Sequence, residues 1–252
     1  MVAVETVVDS GGLKLSAHLA RPDLPPGASP NGLVLCHNFP SGPRHDAEGD
    51  TYPELAARLA RDTGWAVLSF NFRGTGESEG DFSLSGWLED LHAATGHLLD
   101  AGGAAGAWLA GFGRGGSLAI CAAGEDDRVG GVAAMGAAAD FEDWASDPGG
   151  FLAHARRLGV VRDREFPEDF EAWSRELREI RPLALVGKIP PRPLLLLHGS
   201  DDDVVPLMDA RTLADAADGQ VELRVISGAG HGLRHDPRAV AVLMGWLERQ
   251  VL

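Results

Sequence analysis

Cysteine is nearly missing from this chain: Cys36 and Cys121 are the only two in 252 residues. Each stands in apolar company, one at the end of a short apolar run and one within a small-residue helical pattern. A disulfide framework is thereby excluded as the basis of the fold, and both read as buried free thiols. Basic residues are scarce as well. Lys and Arg number 22 against 37 Asp and Glu, for a formal charge of -15. A field of that sign works against nonspecific contact with nucleic acid or an anionic membrane. Long apolar runs are also wanting, since no stretch approaches the roughly 20 residues that span a bilayer. Met1 to Glu5 carry neither the basic start nor the apolar core of a secretory leader. The expectation is a cytoplasmic protein with no nucleic-acid and no membrane partner.

With 44% apolar and 23% charged residues, the composition is that of an ordinary globular protein. The length is enough for a full core, and apolar runs alternate with helical patterns along it. Together these point to one α/β domain over 1–252, with a mostly parallel sheet and helices on both faces. No internal repeat is evident.

Val2 to Val8 and Leu13 to Leu19 read as two strands joined through Gly11 and Gly12, an antiparallel hairpin at a sheet edge. Leu33 to Cys36 and Trp65 to Phe70 are apolar without alternation, as strands covered on both faces should be. Helical patterns follow each, over Thr51 to Asp62 and from about Gly86 to Leu99, the second with Ser83 or Ser85 as its cap. Ala104 to Ala110 is a further buried run, which turns sharply at Gly111 into a helix over Gly115 to Gly124. A strand over Gly131 to Gly136 comes next. Residues 141–190 interrupt this rhythm and read as a small helical cap insert, with helical pieces near 150–158 and 168–178. Its aromatics Trp144, Phe151, Phe166, Phe170 and Trp173 either roof a pocket or pin the insert to the body. Leu194 to Leu197 and Val221 to Ile226 are the last strands, with a helix near Met208 to Ala216 between them. Pro237, suited to a first helical turn, begins the final helix.

Every polar cluster falls just after a strand: His37 to Pro40, Arg73 to Ser78, the turn at 111–116, Asp201 to Asp203, and His231. In open parallel sheets that is where ligands bind, so the clusters argue for one cleft. The run Leu35, Cys36, His37, Asn38, Phe39, Pro40 matches an oxyanion loop. Gly111, Phe112, Gly113, Arg114, Gly115 and Gly116 match the strand-turn-helix context of a Gly-x-Ser-x-Gly nucleophile turn. His198 to Pro206 matches an acid loop and Gly228 to His231 a histidine loop. On these pieces, over about residues 10 to 250, the chain resembles the α/β-hydrolase superfamily, in particular its bacterial acyl-hydrolase and peptidase-like branch.

The resemblance implies a fold, and it implies roles. Asp202 would be the acid that orients His231, His231 the base, and the backbone amides of Phe39 and Arg114 the oxyanion donors, with His37 and Asn38 in the same loop. Two positions depart from the pattern. Gly113 stands where the family carries its nucleophilic serine, which removes the attacking hydroxyl. Asn38 stands where the family usually has glycine and narrows or reshapes the oxyanion loop. Ser117, Cys121 and Cys36 are read as facing away from the turn. Three accounts of Gly113 stay open: a binder or degenerate enzyme, an enzyme in which His231 activates water, or an introduced replacement of serine.

The same glycines satisfy a dinucleotide fingerprint, with Asp140 as its ribose acid, but that reading leaves the acid and histidine loops unexplained. His45 to Asp50 match no strong metal signature, and Asp201 to Asp203 read as one oriented acid between two loop residues, with calcium as the other reading. Arg73 is expected to bond the acid or histidine loop. No cofactor and no metal is expected. The functional expectation is weak or water-mediated hydrolysis of an ester, amide or thioester, or an inactivated hydrolase. The alternative is a noncatalytic small-ligand binder, a pseudoenzyme. Its partner would be a small acyl-type or hydrophobic ligand, and the protein a monomer or homodimer.

Overall fold

The computed structural model describes residues 1–25, 27–42, 51–219 and 221–250. Eight strands form one sheet in the order β1-β2-β4-β3-β5-β6-β7-β8. β1 (Val2–Ser10) and β2 (Leu13–Arg21) pair antiparallel. Gly11 and Gly12 turn the chain with φ of 60° and 91°, the left-handed pair that a two-residue hairpin needs. The ladder runs up to that turn, Ser10 facing Leu13, so both strands extend beyond their apolar runs. β2 meets β4 (Ala66–Phe70) antiparallel. From β4 onward, through β3 (Gly32–Cys36), β5 (Ala107–Phe112), β6 (Val129–Met135), β7 (Leu194–Gly199) and β8 (Val221–Ile226), the pairing is parallel.

Side chains of the buried strands alternate between two cores. Leu33 and Leu35 face α1 (Tyr52–Thr63) and α9 (Pro237–Glu248), where Leu55, Leu59, Leu243 and Trp246 are buried. Val34, Leu68, Leu109 and Leu196 face the other way, onto Trp87, Leu91, Leu118 and Leu213 of α2 (Leu84–Asp100), α3 (Arg114–Glu125) and α8 (Leu207–Ala216). Helix ends follow from local chemistry. Thr51 and Glu54 cap α1 reciprocally, and Gly64 closes it at φ 74°. Ser83, rather than Ser85, caps α2 by accepting from the Gly86 N–H.

Between β6 and β7 lie α4 (Glu142–Ala145), α5 (Pro148–Leu158), α6 (Phe170–Glu179) and α7 (Pro182–Leu185), which continues into a 3-10 turn over Val186–Lys188. α5 and α6 correspond to the two helical pieces read from the sequence. α4 and α7 have four residues each, too few to show a period. Trp144 stacks on Phe151 at 4.3 Å and Phe151 on Trp173 at 5.9 Å. The stack rests on Phe39 and Phe82, and the Trp173 indole donates to the Phe82 carbonyl. Trp144, Phe151 and Trp173 are buried against the body and are not among the residues that line the cleft next to Phe39, so these three fasten the segment rather than roof that cleft. Among the described residues no helix is long and apolar enough to cross a membrane.

Candidate active site

The strands β3, β4, β5, β7 and β8 all end on the same rim, and their following loops meet there. β5 runs straight into a one-residue turn at Gly113, with φ 54° and ψ -124°, and α3 begins at the next residue. The glycines around it are required by close approach. A Cβ at Gly115 would lie 2.3 Å from the His37 carbonyl oxygen, and one at Gly111 2.3 Å from the Gly115 carbonyl oxygen. The helix therefore touches the loop after β3 backbone to backbone. That accounts for the glycine pattern without a dinucleotide phosphate, and the Asp140 carboxylate accepts from the nearby Glu142 N–H.

Asp202 follows β7 and His231 follows β8, and parallel pairing of these strands brings the two loops together. The Asp202 side chain is fully buried; its Oδ1 accepts from the N–H groups of Val204 and Val205, and its Oδ2 lies 2.9 Å from His231 Nδ1. The two N–H donors hold the carboxyl group in place, and its Oδ2 takes the imidazole proton on Nδ1. His198, buried beneath, bonds the Val205 carbonyl at 2.9 Å and stands 3.4 Å from the same Asp202 oxygen. Gly136, just after β6, takes a φ of 62°, the left-handed region that favours glycine; a Cβ there would make only ordinary contact with His231, at 3.5 Å. Asp201 takes the Ser200 hydroxyl.

Asn38 occupies the centre. Its Oδ1 accepts from the backbone N–H of Phe39 and of Arg114, both at 2.8 Å, and its Nδ2 lies 3.1 Å from His231 Nε2. The orientation of the amide follows from these partners. Two donors face the oxygen, and the unprotonated Nε2 of His231 faces the NH2 group. A Cβ built on Gly113 would lie 2.2 Å from Oδ1 and 2.4 Å from Cγ of Asn38. The space that a serine side chain would take is thus filled by this carboxamide. Sequence reading marks Asn38 as a departure in the loop; the structure places it on both amide donors and on the histidine at once.

His37 supports that loop from below. Its Nδ1 donates to the Asn38 carbonyl at 2.7 Å, and its Nε2 accepts from the Phe72 N–H at 3.2 Å. A trans peptide points its C=O and N–H in opposite directions. Holding the Asn38 carbonyl therefore aims the Phe39 N–H into the site. Burial pushes the His37 pKa from its ordinary 6.5 down to about 4, against the Asn38 carbonyl bond, which favours the charged form. The folded value lies below the unfolded one, so the unfolded chain takes up the proton first. His37 thus contributes stability that is complete above about pH 6.5 and lost as pH falls toward 4. The ring is partly open to the cleft, and the whole effect is at most about 3 kcal/mol. Denaturant titrations at pH 7 and pH 4.5 should show a smaller acid-induced loss in His37→Gln than in the wild type.

The Arg114 side chain leaves the site. It donates to the Asp140 carbonyl, pairs with Asp143 and lies over the Trp144 ring at 4.7 Å, tying α4 to α3. Burial lowers its pKa, with the Asp143 charge opposing. Arg73 also turns elsewhere than expected. Its guanidinium bonds Asp90 of α2, with Glu89 at the rim, rather than the acid or histidine loop. Ser117 Oγ is buried and exchanges hydrogen bonds with the backbone of Ala138. Cys36 and Cys121 are buried, and desolvation raises both thiol pKa values. Neither the hydroxyl nor the thiols face the cleft.

A cleft of about 710 Å³ opens above Asn38, Gly113 and His231. Its walls include residues on which the sequence is silent. Arg162, after α5, donates to the carbonyls of Gly74, Gly76 and Ser78 and so fastens the loop after β4. Arg234 stacks over Tyr52 at 4.7 Å. No local spacing signals either one. His45 to Asp50 lie outside the described residues, among which no group of three His, Cys, Asp or Glu is placed to hold a metal ion.

A model of the alpha/beta hydrolase family matches residues 33–243. Among solved structures, the chain is similar to Est1E from Butyrivibrio proteoclasticus, with 21% identity, a TM-score of 0.71, and 97% of this chain and 96% of that one covered. It is similar to the esterase Pf2001 of Pyrococcus furiosus, with 19% identity and a TM-score of 0.71 over 98% and 92% of the two chains. For the esterase domain of a Rhodothermus marinus protein the identity is 25% and the TM-score 0.69, over 99% of each chain.

Proposed function

Because the chain belongs to the alpha/beta hydrolase family, we propose that it is a member that binds a small molecule in the cleft without hydrolysing it. The observation that carries this reading is the Asn38 carboxamide, bonded to both backbone donors and to His231 beside a residue with no side chain. Acyl transfer by this fold's chemistry needs a hydroxyl next to the histidine and two free donors for the developing oxyanion. Gly113 supplies no hydroxyl, and Asn38 satisfies the donors. Roles follow for the rest: the Asp202–His231 pair and the amides of Phe39 and Arg114 serve as a binding cradle, and residues 141–190 act as a cap whose Leu158 to Arg162 end walls the cleft. Two buried, unpaired thiols support a cytoplasmic setting.

A panel of chromogenic esters, amides and thioesters assayed on the wild type and His231→Ala tests the proposal. Turnover equal in the two proteins and at background is the expected result; native mass spectrometry of gently purified protein then seeks the retained molecule. A second reading is favoured by the intact 2.9 Å bond between His231 and Asp202. In it, a ligand displaces Asn38, and His231 Nε2 activates water against the ligand's carbonyl. Slow turnover that disappears in His231→Ala would select that reading instead.

A further inference from the structure

We propose that the Asn38 carboxamide is a displaceable internal ligand, and that the molecule replacing it ends in a carboxamide or a carboxylic acid. This rests on the binding reading above and specifies its ligand. The site holds a planar O=C–N–H group by three contacts: two N–H donors at 2.8 Å on the oxygen, and one acceptor, His231 Nε2, at 3.1 Å from the nitrogen. A primary amide brought from outside reproduces all three. A carboxylic acid does so with its O–H in place of the N–H, and its anion does so if the proton sits on His231. An ester does not, because its alkoxy oxygen has only lone pairs to offer to Nε2, and two acceptors then face each other.

Asn38 is suited to leaving. It is only partly buried, and it borders the cleft rather than the packed core. Its amide hangs on two rotatable side-chain bonds beside that space. Gly113 makes the arrangement workable, since any side chain there would collide with the amide. Around the cradle, the cleft wall combines the polar Glu77 and Asn71 with the apolar Tyr52, Phe112, Leu158 and Leu233, and the aromatic stack of the cap is consumed in packing. The ligand body this wall fits is one with both an apolar ring and a polar group.

The test uses three probes with one body, 4-hydroxyphenylacetamide, 4-hydroxyphenylacetic acid and methyl 4-hydroxyphenylacetate, titrated by NMR against the 15N-labelled wild type, Asn38→Ala and Asn38→Gly. Removing the internal amide should tighten amide and acid about tenfold or more, the gain from no longer competing with an occupied cradle. The Phe39 and Arg114 amide resonances should shift on saturation, and the ester should bind the variants about tenfold more weakly than the amide. Affinities within twofold of the wild type in both folded variants, an ester that binds as well as the amide, or no binding of amide and acid at millimolar concentration would each overturn the proposal. Ester consumption followed in the same tubes separates the two claims. Consumption that is lost in a parallel His231→Ala sample defeats the noncatalytic reading, whereas unchanged affinities without consumption defeat only the displacement of Asn38 by such a ligand.

Discussion

The double variant Asn38→Gly, Gly113→Ser should gain ester hydrolysis on the order of 10³-fold or more over the wild type, while each single variant falls well short. The reason is that the two positions exclude each other's alternatives. A serine Cβ at 113 would lie 2.2 Å from Asn38 Oδ1, so Gly113→Ser alone must force the amide off its two donors and into the cleft, in the way of a substrate. Asn38→Gly alone frees the donors and His231 but supplies no nucleophile. Only together do they place a hydroxyl beside Nε2 with both amides free. Serine must adopt the φ of 54° that glycine holds there without strain, at about 1 to 3 kcal/mol. The double variant should therefore melt several degrees lower. Adding His231→Ala should return its rate to background. A Gly113→Ser single variant as fast as the double would mean that Asn38 obstructs nothing.

Much of the fold is legible in the sequence because its elements are declared locally. The unbroken apolar runs at Leu33 to Cys36 and Leu194 to Leu197 have nowhere to go but the middle of a covered sheet. The Gly11 and Gly12 pair fixes the hairpin, and Ser83 starts α2 through its own side chain. Where the signal is short it fails. α4 and α7 are single turns held by their neighbours, Arg114 over Trp144 in one case and contact with α3 in the other. The aromatics of 141–190 leave two readings open from sequence, since stacking on Phe39 and Phe82 depends on rings more than 60 residues away.

The site divides along the same line. The pairing of His231 with Asp202 is legible because each sits in a loop of recognisable composition after a strand, and the strands are neighbours. Asn38 can be marked as unusual, yet its partners lie at Arg114 and His231, 76 and 193 residues on. Only tertiary placement turns an odd residue in a loop into an occupant of the cradle. The destination of Arg73 is likewise hidden. From sequence the acid and histidine loops are the visible anionic and polar targets, whereas Asp90 is one acidic residue among several on a helix.

Replacing Asp90 should have the largest effect on stability. Its side chain is fully buried and takes three bonds from one residue: the Arg73 backbone N–H and Nε–H and Nη2–H of the guanidinium, at 2.8, 3.0 and 2.8 Å. Burial works against the guanidinium charge, but the Asp90 bond and charge prevail and raise the Arg73 pKa. Asp90→Ala leaves a mostly buried cation with, among the described residues, Glu89 and Ser10 as its side-chain partners, and a backbone N–H stripped of its acceptor. A loss of about 3 to 5 kcal/mol is expected in urea unfolding, against about 1 to 2 for Asp90→Asn, which keeps the shape and one acceptor. The damage should also reach the cradle. Arg73 follows directly on Phe72 in the loop after β4, the Phe72 N–H holds His37, and His37 in turn aims the Phe39 amide. Asp90→Asn should therefore broaden or shift the Phe39 amide resonance even where the protein remains folded. A loss under about 1 kcal/mol in Asp90→Ala would show that the loop after β4 is held chiefly by Arg162 and its three carbonyl partners.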